Sequence, residues 1–221
     1  MIEKHWSDFP TEESRSIYVL AINCGIKRLN KGDRKYIREC FDLYRSGLKN
    51  RVLFENGVVS NYTYTNVFKA GLALKEFNWV ESFLKEYKSY LPASDRENTY
   101  NFNLAFLYFQ KPDYDSAMEL LQKVDFNDVL NNLDSRRMLL RIYYELGYYD
   151  SLESLLDSFK TYLSRQKNIG YHKENYANLI YFMKKILRAN LSDKTQSSKL
   201  IKEIEATPAL AEKSWLLEQL E

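Results

Sequence analysis

Few side chains in this sequence combine the type and the neighbours that chemistry requires. The two histidines, His5 and His172, lie near the start and in an expected turn ahead of a helix, and both read as solvated surface residues. Two histidines cannot build a zinc site alone. Cys24 and Cys40 are spaced too widely for a metal knuckle or a CxxC redox pair, so both are expected to be reduced core residues. The sequence contains no GxxxxGK[ST], GxGxxG, HExxH or GxSxG pattern, and its seven glycines leave no obvious phosphate cradle. The carboxylates are those expected on solvated helix faces. These residues predict a protein that is not an enzyme and that holds no metal or cofactor.

Charge offers a second kind of chemistry. Between Lys27 and Arg51 there are nine basic residues (Lys27, Arg28, Lys31, Arg34, Lys35, Arg38, Arg45, Lys49, Arg51) against Asp33, Glu39 and Asp42. With Tyr36, Phe41 and Tyr44 interleaved, such a segment could hold an RNA backbone and stack bases. The whole chain carries only +2, however, and such charges more often keep a helix soluble. Residues 112 to 135 run the other way, with six acidic residues and Lys123 opposing them before Arg136. Contact between a basic end and an acidic middle would give a salt-sensitive homo-oligomer.

The elements that must carry these residues are helices. Eighteen Tyr and twelve Phe accompany only four Pro among 221 residues, a balance that suits long helices and disfavours turn-rich β folds. An all-α fold in one elongated domain, residues 1–221, is expected. No run of about 18 apolar residues is present, and the start, MIEKHWSDFP, lacks a secretion-signal pattern, so a cytoplasmic protein without membrane association is expected. The final Leu220 and Glu221 read as a possible cloning remnant, which would make the chain a piece of a longer protein.

The segment ENTYNFNLAFLYF, residues 97 to 109, is apolar around most of its circumference, so it must be covered on more than one side. Self-similarity supplies the cover. Gly71, Ala105 and Leu140 recur at offsets of 34 and 35; Leu74, Tyr108 and Tyr143 do the same, as do Val80, Tyr114 and Tyr149. Phe83, Ala117 and Leu152, then Tyr87, Leu121 and Leu156, then Tyr90, Val124 and Phe159 keep the spacing. Each unit reads as a helix, a turn and a second helix. In KPDY, Pro112 disfavours helix at Lys111 and Asp113 can cap the next start; in LGYYD, Gly147 can take the left-handed conformation that ends a helix. A lone hairpin cannot bury its apolar surface, so the units stack.

Weaker hairpins flank these units. Residues 14–47 place Cys24 and Gly25 as a small pair and Ile37, Cys40 and Tyr44 on a second helix. Residues 172–206 carry helices near Glu174 to Arg188 and Gln196 to Ala206, and Thr207 and Pro208 are expected to open a capping helix over 208–221 with Trp215, Leu216 and Leu220 closing the stack. Asn56-Gly57 within RVLFENGVVS is a hairpin signal, or else part of a long connection after which Ser60 or Thr63 starts a helix.

These columns resemble the tetratricopeptide repeat family. Residues 98–125 match best, with Leu104 and Ala105 at the Leu-Gly pair, Tyr108 and Tyr114 at the aromatic positions, Ala117 at the small residue and Leu121 at the large apolar one. Residues 133–160 match with bulky Leu140 and Leu152 at small positions, and residues 64–91 match through Ala70, Gly71 and Leu74. The resemblance implies an α-α superhelix, a solenoid of about five hairpins plus a C-terminal capping helix, acting as a non-catalytic protein-interaction scaffold that binds a peptide or partner segment on its concave face. First helices line that face, which implies partner contact at Phe68, Leu72, Phe102, Phe106, Phe109, Arg137, Arg141 and Tyr144. Arg137 and Arg141, four apart on one helix face, would hold a carboxylate. The alternative is that curvature buries Phe102, Phe106 and Phe109 and leaves the arginines as an ordinary solvated or locally paired face. Phe68 and Leu72 stand where a clamp for a chaperone tail would need Lys and Asn, so that activity is not expected.

Overall fold

A computed structural model describes residues 9–124, 128–167, 169–190 and 193–220. All the regular elements among them are helical: α1 (Thr11–Leu29), α2 (Tyr36–Lys49), α3 (Asn61–Ala73), α4 (Phe77–Tyr87) with a 3-10 turn at Lys88–Tyr90, α5 (Arg96–Gln110), α6 (Tyr114–Leu121), α7 (Val129–Glu145), α8 (Tyr149–Arg165), α9 (His172–Arg188), α10 (Lys194–Glu205) and α11 (Lys213–Glu218). The chain divides into two compact units, residues 1–125 and 126–221.

In the first unit each helix packs on its sequence neighbours, and α3 also packs on α5. The core joins Tyr18, Cys40, Tyr44, Phe68, Val80, Phe83, Leu84 and Leu107, with rings running from Trp79 through Phe83 and Tyr87 to Tyr90 at centroid separations of 5.3, 5.1 and 5.9 Å. Two glycines permit the closest helix approaches. A Cβ on Gly25 would lie 2.3 Å from the Cys40 sulfur, and one on Gly71 would lie 2.5 Å from Val80. In the second unit α7 packs on α8, α8 on α9, and α11 on both α9 and α10, around Leu140, Leu152, Phe159, Met183, Ile186, Ile204 and Trp215. Ala105 and Ala117 are buried in the pair α5–α6, and the bulkier Leu140 and Leu152 are buried in the pair α7–α8.

Three turns of three residues close hairpins with one geometry. After α3, α5 and α7 the amides of Glu76, Asp113 and Tyr148 donate to the carbonyls of Gly71, Tyr108 and Tyr143, at 3.0, 3.0 and 2.8 Å. Lys75 and Gly147 take left-handed conformations in two of these turns (φ 59° and 70°), which ends the helix there. Asp113 caps α6 by accepting from the Ser116 amide.

The turns also correct the repeat register. Phe77, Tyr114 and Tyr149 each open a second helix, so the first two hairpins are offset by 37 residues, not 34. The matching buried columns are then Phe68, Ala105 and Leu140, then Val80, Ala117 and Leu152, then Leu84, Leu121 and Leu156. A shift of three keeps nearly the same face of a 3.6-residue helix toward the core, so apolar spacing alone could not separate the two registers.

Asn56 and Gly57 form a tight turn (φ 50° and 79°) in which Glu55 and Val58 exchange backbone hydrogen bonds, and Ser60 then caps α3 by accepting from the Thr63 amide. Cys40 is buried as expected, whereas Cys24 is exposed. His172 opens α9 half-buried against the rings of Tyr171 and Tyr176; His5 lies outside the described residues. Thr207 does not cap the last helix. Its hydroxyl donates back to the Glu203 carbonyl and so finishes α10, while Lys213 donates to the carbonyls of Glu205 and Thr207, and the helix starts only at Lys213.

Candidate functional site

The residues implied as a partner surface divide into a buried set and a satisfied set. Phe68, Phe102 and Phe109 are 1%, 5% and 4% exposed, which makes them interior residues and not an open surface. Leu72 and Phe106 are half-buried, with Phe106 packed edge-on to Phe68 at 5.9 Å. The register explains the first case: Phe68 occupies the position filled by Ala105 and Leu140 in the next two hairpins, where a first helix meets its neighbours.

Arg137 and Arg141 do hold a carboxylate, but the chain supplies it. Both guanidiniums donate to Glu212, Arg137 closely and Arg141 at 3.4 Å, and Arg137 also donates to Asp134 at 3.3 Å. Desolvation pulls the Arg137 pKa down, yet the charges of Glu212 and Asp134 outweigh it and hold the pKa above the ordinary value. Tyr176 donates to the same Asp134 oxygen at 3.0 Å, and burial pushes that hydroxyl pKa up. Trp215, three residues beyond Glu212, donates its indole N–H to Glu145 at 2.7 Å and meets the edge of Tyr144 at 5.4 Å, while Arg141 lies over its ring at 5.5 Å. Glu212 reaches this clasp from a left-handed backbone (φ 56°, ψ 28°). The predicted arginine site is therefore the seat of α11.

Three of the nine cations of the basic hairpin are engaged internally. Arg38 pairs with Glu76 at 2.8 Å, Arg45 lies over Phe41 and Trp79, and Arg51 lies over Phe54 and donates to Tyr90. Phe41 and Tyr44 are buried, so neither presents a ring face for base stacking.

A different surface is open. Along α9 the residues Lys173, Ala177, Ile180, Tyr181, Lys184 and Arg188 follow one helix face and line a cavity of about 720 Å³. Leu163 and Lys160 of α8 border it on one side; Gln196, Lys199, Leu200 and Glu203 of α10 border it on the other. Leu163, Ile180 and Leu200 close the floor as interior residues, the apolar surface left open is that of Ala177 and the exposed Tyr181 ring, and the rim is cationic, with lysine stems extending the apolar wall beneath charged tips. Lys184 pairs with Asp157 and Lys185 with Glu203, and the Lys185 ammonium lies 5.1 Å from the Tyr181 ring centroid. The Asp157 carboxyl is held below its ordinary pKa by its hydrogen bond from Lys184 and by the nearby charges of Lys184, Lys160 and Arg188. Among the described residues, Lys160, Arg188 and Lys199 have no ion-pair partner.

The sequence reading passed over this surface although its signal was present. Residues 160 to 203 hold ten basic residues against Glu174, Asp193 and Glu203, a bias as strong as that of the first hairpin. Among the described residues no group of three or more His, Cys, Asp or Glu side chains is placed to hold a metal ion, and no helix is long and apolar enough to cross a membrane. The chain matches no protein-family model, no curated protein and no solved structure.

Proposed function

We propose that this chain is a non-catalytic scaffold of stacked α-hairpins, of the tetratricopeptide kind, that works in the cytoplasm by binding a segment of a partner protein. The three hairpin turns with one hydrogen-bond geometry support the repeat reading. The observation that carries the binding reading is the open groove along α9, bordered by α8 and α10. Apolar concavities with a few convergent polar groups are the usual places for a ligand to bury its surface. Nucleic-acid binding through the basic hairpin is the weaker reading, because Phe41 and Tyr44, two of the three aromatic residues it would use, are interior.

The test is affinity capture with the purified chain as bait, comparing wild type, Ala177→Arg and the pair Lys31→Glu with Arg34→Glu. Ala177 is exposed on the groove floor, so a long side chain there blocks the groove without entering the core. Proteins captured by wild type and by the double variant, but lost with Ala177→Arg, support the proposal. Retention of RNA that disappears in the double variant, with no effect of Ala177→Arg on any captured protein, overturns it.

A further inference from the structure

Resting on that reading, we infer that the groove along α9 takes an acidic amphipathic helix of a partner protein, its apolar stripe on Ala177, Tyr181 and the lysine stems and its carboxylates on Lys160, Arg188 and Lys199.

Shape selects a helix. The lining residues of α9 run from Lys173 to Arg188, about 22 Å at the helical rise. That length accommodates about four turns of an incoming helix. The walls are the side-chain faces of α8 and α10, and the groove is lined by side chains with no free strand edge, so an extended peptide would find no backbone to pair with. Ala177 is a small, exposed residue of the lining, the kind of position over which a docked helix seats a larger side chain.

Charge selects the partner's flanks. The cations without an ion-pair partner among the described residues stand on all three helices: Lys160 on α8, Arg188 at the end of α9 and Lys199 on α10. One carboxylate, such as a fatty-acid headgroup, answers a single point on this rim and leaves the others unmet. A helix with acidic residues on both sides of its apolar stripe meets both walls at once. Asp157 on Lys184 and Glu203 on Lys185 already show carboxylates seated on this rim. Exposed pairs contribute little each, so the apolar floor supplies affinity while the rim supplies orientation and selection against basic segments.

The experiment uses the full chain and a fluorescein-labelled helix of about 16 residues, with leucines along one stripe and glutamates on both flanks, read by fluorescence anisotropy. Controls are a lysine-for-glutamate version and a shuffled sequence. The glutamate helix is expected to bind about ten-fold or more tightly than either control, and to weaken as salt rises. Lys160→Glu, Arg188→Glu and Lys199→Glu together are expected to weaken it about ten-fold or more with unchanged circular dichroism. If that variant misfolds, glutamine at the same three positions gives the same reading with a smaller loss. Equal binding of the lysine or shuffled peptide, unchanged binding by a folded charge variant, or stoichiometric binding of palmitate with none of the peptide overturns the inference. If the charge variant still captures the wild-type set of proteins from a lysate, this inference falls while the scaffold reading stands; if wild type captures none, the scaffold reading falls as well.

Discussion

The Glu212 carboxylate closes on the Arg137 guanidinium across 75 residues of sequence, with side-chain exposures of 15% and 11%. A non-glycine residue held in a left-handed backbone costs about 1 to 2 kcal/mol, so surrounding contacts must over-determine it. Here they are the two arginines and the docked Trp215.

Removing that carboxylate should loosen α11. Glu212→Gln removes a carboxylate to which Arg137 donates, and a loss of about 2 to 4 kcal/mol is expected from breaking a largely buried pair. Urea unfolding followed by tryptophan fluorescence and circular dichroism checks it; an unchanged midpoint would mean that the clasp contributes nothing to seating the helix.

The Gly25 crossing predicts a sign reversal. Gly to Ala in a helix interior ordinarily stabilises by about 1 kcal/mol, but here the new methyl meets the Cys40 sulfur, and Gly25→Ala is expected to destabilise by about 1 to 3 kcal/mol. Adding Cys40→Ala removes that sulfur, so the double variant should recover part of the loss, a coupling that a double-mutant cycle measures directly.

Lys75 predicts a gain. It occupies a left-handed position after α3 where Gly147 stands after α7. Lys75→Gly should raise stability by up to about 1 kcal/mol, read as a shift in thermal midpoint.

The two thiols should label in sequence. Cys24 is exposed, whereas burial pushes the Cys40 thiol pKa up and removes it from reagent. A mild thiol reagent should modify one cysteine of the native chain and the second only on unfolding, with peptide mapping to assign them.

Alkaline pH supplies a test of the first core. Burial, opposed by a hydrogen bond with Asn66, pushes the Tyr44 hydroxyl up to about 12 from 10.0. The raised folded value means that its stabilisation is fully present below pH 10 and is lost as pH rises toward 12. Tyr44→Phe should flatten the fall in stability across that window, measured by urea titration at successive pH values.

Several features of this fold were legible because they are local. The helix ends at Gln110 and Glu145 follow from Pro112 and Gly147, and the start at Tyr114 follows from the Asp113 cap, since each depends on residues within a turn. The long apolar helix also announced burial on more than one side, and Leu104, Ala105, Leu107 and Phe109 are all interior. The first repeat's register was not legible. Val80 suits the column of Tyr114 as well as that of Ala117 when only apolar character is compared, and the turn at Leu74–Glu76 decides between them.

The amino-acid order by itself determined an all-helical chain of hairpins, because periodicity and caps act over a few residues. Only the tertiary structure decided that Phe68 is interior, that the carboxylate on Arg137 is the chain's own Glu212, and that an apolar groove with a cationic rim opens along α9. Those outcomes depend on which helix faces meet and on partners many residues away. A side chain's type is written in the sequence, whereas its exposure and its partner are set by packing.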